Sequence, residues 1–96
     1  MGLFDFLRRK RVDTEAARRE LLLKTGRIAD GSIFDIGTDD AGEVTHVFYS
    51  YEINGVDYES SQTLDAAQLQ RAADYFPGAH CTVRFDPRHP ANSIVV

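Results

Sequence analysis

The chain has 96 residues and a net charge of -4; 43% of its residues are hydrophobic, with six Phe, four Tyr and no Trp. That is enough for one buried core, too little for a barrel enzyme or two packed lobes, and too apolar for a disordered chain. Cys81 is the one cysteine, which excludes an intramolecular disulfide framework and makes a reducing compartment the simpler home.

The charge is unevenly placed. Residues 1–24 hold seven basic and four acidic groups, for +3, whereas residues 25–96 hold four basic and eleven acidic groups, for -7. An acidic body repels a phosphate backbone and argues against nucleic-acid recognition. No apolar run approaches the roughly 18 residues that a membrane helix needs. The opening Met1-Gly2-Leu3-Phe4-Asp5-Phe6-Leu7 lacks the basic region and long apolar stretch of a secretion signal. Gly2 is followed by Phe6 where myristoylation calls for Ser or Thr. The expectation is a cytoplasmic, non-lipidated chain, able to lie at the inner face of a membrane.

Leu3, Phe6, Leu7 and Lys10 share one side of a first helix, Phe4 widens its apolar face, and Arg8-Arg9-Lys10-Arg11 follows directly. So short a helix needs a surface to lie on: its own domain, a second subunit or a membrane. Asp13 or Thr14 can cap a second helix running to about Leu23, with Ala17, Leu21 and Leu22 expected inward and Gly26 ending it. Residues 1–24 thus read as a basic amphipathic helical segment ahead of a domain spanning 25–96.

From Arg27 the period changes. Ile28, Ile33, Phe34 and Ile36 read as a strand, or a bent strand pair interrupted by Asp30-Gly31, and the run from Gly37 to Gly42 reads as a turn. Val47, Tyr49, Tyr51 and Ile53 fall on one face of the next strand, with His46, Phe48, Ser50 and Glu52 on the other. Asn54-Gly55 accepts the positive φ angles of a tight hairpin, so Val56 to about Gln62 returns antiparallel, with Val56 and Tyr58 on one face. Asp65 and Gln68 have the spacing of a capping box ahead of an expected apolar stripe of Ala66, Leu69, Ala72, Ala73 and Phe76, which Pro77-Gly78 stops. Cys81, Val83 and Phe85 alternate as a half-buried strand; Asp86-Pro87-Arg88-His89-Pro90 turns the chain, and Ser93 to Val96 supplies a last strand or edge. The expected fold class is mainly β (α+β): a small antiparallel, barrel-like curled sheet with two helical segments in front and one helix inserted before the last strands.

Gly26-Arg27-Ile28, the hairpin from Tyr49 through Tyr51, Asn54 and Gly55 to Tyr58, and the closing Val83-Arg84-Phe85-Asp86-Pro87-Arg88-His89-Pro90-Ala91-Asn92-Ser93 resemble, in order, the motifs of the DUF3592 family of uncharacterised bacterial domains. The likeness covers about residues 25–96. Phe85 and His89 stand where that pattern has a Tyr and often an Asn. The resemblance implies a fold and no general activity, and many similar proteins place the domain beside membrane helices. Read physically, Gly55 permits the turn, the tyrosines offer apolar bodies with hydroxyls able to reach a rim, Asp86 accepts backbone hydrogen bonds, and Pro87 and Pro90 stiffen the bends.

Candidate chemistry is sparse. His80 and Cys81 are neighbours on a strand and point to opposite faces, so with His89 they make a poor metal or nucleophile set. Asp39-Asp40 reads as a solvated turn, and Glu20, Asp57 and Glu59 show no shared pocket in the sequence. No glycine loop has phosphate-cradling spacing. The expectation is a non-catalytic structural or protein-interaction module without cofactor or metal, whose partner is an unknown protein or a second copy. Two alternatives stand beside it: a membrane-peripheral adaptor using Leu3, Phe4, Phe6, Leu7, Arg8, Arg9, Lys10 and Arg11, and a weak ligand- or oligonucleotide-binding barrel.

Overall fold

The computed structural model describes residues 15–96. A helix over residues 15–25, α1, leads into five strands: β1 (Arg27–Thr38), β2 (Val44–Ile53), β3 (Val56–Thr63), β4 (His80–Asp86) and β5 (His89–Val95). Between β3 and β4 lie a one-turn helix, α2 (Ala66–Leu69), and a 3-10 turn (Ala72–Asp74). The first helix expected from the sequence, residues 3–10, lies outside the described residues.

The strand order is β3-β2-β1-β4-β5, with all paired neighbours antiparallel, and β3 and β5 come back beside each other. Alternating directions around five strands make β3 and β5 run the same way. The result is a near-closed antiparallel barrel with short helices at its ends, mainly β as the alternation predicts. Ile33, Val47, Tyr49, Tyr51, Val83, Phe85 and Val95 fill the interior, and Leu64, Tyr75 and Ala79 plug one end. The first seven are the inward positions of period-2 strands; burying all of these side chains is the chief favourable term in folding.

The β2–β3 hairpin takes the form that Asn-Gly dictates. Ile53 pairs with Val56 across a two-residue turn, with φ of 51° at Asn54 and 82° at Gly55. Val47, Tyr49 and Tyr51 are buried as expected, whereas Val56, at the turn, is exposed.

One open alternative is settled and three expectations are corrected. Asp30-Gly31 does not interrupt β1, which runs unbroken for 12 residues. Gly31 instead lets the strand pass close over its neighbours: a Cβ there would lie 2.7 Å from Val83 Cγ2, 3.0 Å from Cys81 Sγ and 3.0 Å from the Ser50 carbonyl oxygen. β1 then bends at a bulge between Ile33 and Asp35, where it leaves β4 and exchanges backbone hydrogen bonds with Gly78 and Ala79.

In α1, Leu22 is buried (3% exposed), but Ala17 and Leu21 (61%) face out, and Arg18 and Arg19 take the inner side. The carbonyl oxygens at the strand ends beneath the helix need donors, and arginine supplies them. The expected stripe on Ala66, Leu69, Ala72, Ala73 and Phe76 does not form either. The helix stops after four residues, leaving Leu69 and Phe76 exposed while Leu64, Gln68, Tyr75 and Ala79 are buried. Finally, β5 starts at His89 rather than Ser93: Asp86 pairs with His89 and only Pro87-Arg88 turns the chain.

Candidate functional site

Polar chemistry inside the barrel centres on its seam. Tyr49, Tyr51 and Tyr58 stack in a row, with ring centroids 5.9 and 5.4 Å apart. Tyr49 and Tyr51 alternate inward along β2, and Tyr58 is the cross-strand partner of Tyr51. Their hydroxyls reach β5: Tyr49 Oη bonds Ser93 Oγ at 2.7 Å, and the Tyr51 hydroxyl donates to the Pro90 carbonyl. Burial raises the Tyr51 pKa, so the phenol stays a donor.

At the other end of the seam Gln62 replaces a strand ladder with its side chain. Its Oε1 accepts from the Val95 N–H at 2.9 Å, and its Nε2 donates to the Val95 carbonyl at 3.0 Å. Gln68 Nε2 donates to the same carbonyl at 2.9 Å, while its Oε1 accepts from the Asp65 N–H, completing the capping box read from the sequence. Arg18 and Arg19 of α1 tie one end each, Arg18 Nη1 donating to the Ser93 carbonyl (3.1 Å) and Asn92 Oδ1 (2.8 Å), and Arg19 Nη2 to the Thr63 carbonyl (2.9 Å). Arg18 also pairs with Glu15 at 2.7 Å, which holds the Glu15 carboxyl below its ordinary range.

Other motif residues sit at turns and at the junction of α1 with β1. A Cβ at Gly26 would run into the Leu22 carbonyl oxygen, so the step from α1 to β1 requires glycine. Asp86 Oδ1 accepts from the Arg88 N–H at 2.9 Å, closing the Pro87 turn. Asp39 Oδ1 accepts from the N–H groups of Ala41 and Glu43, both at 2.9 Å, leaving its neighbour Asp40 exposed.

His80 is exposed and Cys81 half-buried on opposite faces of β4, and His89 lies on β5. Desolvation pushes the Cys81 thiol up to about 11, the reverse of what a nucleophile needs. Among the described residues no three His, Cys, Asp or Glu side chains are placed to hold a metal ion.

Two open clefts stand out among the described residues. One, of about 520 Å³, lies at the barrel mouth between Arg27, Ile28, Ile53, Asn54, Pro87 and Pro90. The other, of about 480 Å³, runs over the outer face of the sheet and gathers Asp30, Glu52, Asp57 and Glu59 with Ser32, Ser50 and His80. Asp57 and Glu59, which show no common pocket in the sequence, therefore do share one, whereas Glu20 lies on α1. The signal was present in the hairpin register, which sets Asp57 opposite Glu52. Nothing comparable marked Gln62 or Arg18, and Gln68 was marked only as a helix cap, because long polar side chains ordinarily read as solvated. On the same outer face Phe34 (48% exposed), the extra residue at the β1 bulge, lies against Phe48, ring centroids 6.3 Å apart. Leu3, Phe4, Phe6, Leu7 and Arg8 to Arg11 lie outside the described residues.

Five strands, a partly open seam and a helix before the fourth strand define a small antiparallel barrel domain, the broad class that includes OB-type barrels. Its interior is pinned by tyrosine and glutamine side chains. Comparison with known families assigns it further: the chain belongs to the family described as "Domain of unknown function (DUF3592)", which matches residues 25–96. No curated protein and no solved structure matches it.

Proposed function

We propose that this chain is a non-catalytic protein-interaction module, a rigid barrel that presents its outer sheet face to a partner protein. The observation that carries the reading is the Phe34–Phe48 pair. Phe34, the extra residue at the β1 bulge, stands exposed on the outer face beside Phe48; bulges are common beside functional surfaces. The inward polar groups support the same reading, because Tyr49, Tyr51, Gln62, Gln68 and Ser93 are spent on closing the barrel. OB-type barrels bind oligonucleotides over their second and third strands. Here those strands carry Glu52, Asp57 and Glu59 outward, which repel phosphates.

A photo-crosslinking amino acid placed at Phe34, and separately at Arg88 on the β4–β5 turn, tests the reading in cells producing the full chain. Discrete protein adducts from position 34 that position 88 does not give are the expected result. Identical or absent adducts from both positions would sink it.

A further inference from the structure

The unpaired side of β3 carries an inference that rests on the protein-interaction reading and names the partner's chemistry. The hairpin register decides which backbone groups are free. Leu64 donates its N–H to the Thr45 carbonyl, which continues the β2–β3 ladder, so the hydrogen-bonded pairs along β3 are those of Val56, Tyr58, Ser60 and Gln62. The N–H and C=O groups of Asp57, Glu59, Ser61 and Thr63 then point away from β2, toward the seam. Consistently, the Thr63 carbonyl meets Arg19 there. Across the seam β5 is already engaged at Val95 and Ser93 by Gln62, Gln68 and Arg18. Among the described residues the outward backbone groups of Asp57, Glu59 and Ser61 have no partner strand. The barrel is zipped at one end and keeps a short free strand edge along the rest of β3.

The side chains along that edge say what can add to it. Asp57 and Glu59 are exposed and share the outer cleft with Glu52 and Asp30. Among the described residues none of these four carboxylates pairs with a lysine or arginine; the ion pairs are Glu15–Arg18, Asp65–Arg19 and Glu20–Lys24. A second copy pairing β3 to β3 would set carboxylates against carboxylates, and like charges directly opposite destabilise a strand pair. Charged residues on an edge are a recognised guard against that event. The same charges favour a strand bearing cations at every second position.

We infer that the free edge of β3 docks an extended basic peptide segment of a partner protein, which adds alongside Asp57–Ser61 as a further strand. Main-chain hydrogen bonds to Asp57, Glu59 and Ser61 supply the register, and alternate Lys or Arg side chains on the outer face meet Asp57, Glu59 and Glu52. This is strand addition, with charge rather than a deep pocket setting specificity.

The test uses the full chain and an array of acetylated, amidated hexapeptides in which Lys, Glu, Thr and Val are permuted at every position. Binders carrying Lys at alternate positions are expected. The best of them, titrated in solution, should shift the amide signals of Asp57, Glu59 and Ser61 and slow their hydrogen exchange. Asp57→Lys with Glu59→Lys should weaken that peptide at least tenfold. Ser61→Pro should do the same without touching a charge, because it removes one outward N–H at an edge position where proline is tolerated; melting curves of both variants verify that they fold. Binders without charge preference would overturn the proposal. So would shifts confined to Phe34 and Phe48, which would leave the interaction reading standing and remove only the edge. A β3–β3 dimer in sedimentation would overturn it too, as would edge protection already present in the free chain and lost when Arg8, Arg9, Lys10 and Arg11 are replaced by Gln. The first would give the edge to a second copy, the other to the chain's own front.

Discussion

Cys81 shows how one position can be fixed by packing alone. Its thiol lies on the inward side of β4, and the close passage of Gly31 puts β1 directly over it. Desolvation raises its pKa from 9.0 to about 11, so at pH 8 the thiolate fraction falls about 100-fold below that of an unshifted thiol. Alkylation by iodoacetamide at pH 8 should lag a free-cysteine standard by about that factor; equal rates would mean that the thiol is not buried as described. The shift also fixes a direction of stability. Below about pH 9 the thiol is protonated in both folded and unfolded chains. Between about 9 and 11 the unfolded chain gives up a proton that the folded chain retains, so stability falls as pH rises through that window. In Cys81→Ala the slope of stability against pH across the window should be shallower than in the parent chain. Gly31 itself predicts a larger effect. In Gly31→Ala the new methyl group meets a backbone oxygen as well as two side chains, and overpacking of this kind costs about 1–3 kcal/mol. Urea unfolding should show the loss with an unchanged m-value.

Among the elements, the hairpin was the most legible, because two independent signals agreed. Side chains alternated from Val47 to Ile53, and Asn54-Gly55 supplied a turn whose backbone matches the strand twist. The α2 region was legible only in its first turn. Asp65 and Gln68 do form a capping box, but the stripe behind them was misread because apolar spacing cannot say whether a helix continues, and here it gives way to a 3-10 turn. Gln68 is buried for a reason absent from any periodicity: it serves the seam from α2. The seam was illegible for the same cause, since it consists of side chains bonding backbone of distant strands. Gln62→Leu keeps the volume roughly constant and leaves the Val95 N–H without its acceptor. A buried donor left unpaired costs about 1–3 kcal/mol, so this variant should lose that much stability. The Val95 amide should also exchange faster, while those in the middle of β2 keep their protection relative to global unfolding. Unchanged Val95 exchange would show that Gln62 does not close the barrel.

At the scale of the whole molecule, the question is where the cooperative unit begins. The family match starts at residue 25, and charge and helical periodicity set residues 1–24 apart in the sequence, yet the packing crosses that line. Leu22 is buried, Arg18 holds the Ser93 carbonyl of β5, and Arg19 holds the Thr63 carbonyl at the end of β3. Both carbonyls belong to the strands that meet at the seam, so α1 straps the barrel shut where the antiparallel ladder does not continue. If α1 is part of the barrel's folding unit, the two should melt together. Helix ellipticity at 222 nm and tyrosine fluorescence from Tyr49, Tyr51 and Tyr58 should then trace one coincident urea transition, the two-state signature. Leu22→Ala should lower the midpoint of both probes equally, with a loss of about 2–4 kcal/mol, the usual cost of removing a buried leucine side chain. An early loss of ellipticity with the tyrosine signal intact would instead make α1 a detachable arm, and would place the boundary of the folding unit at Gly26, where the helix ends.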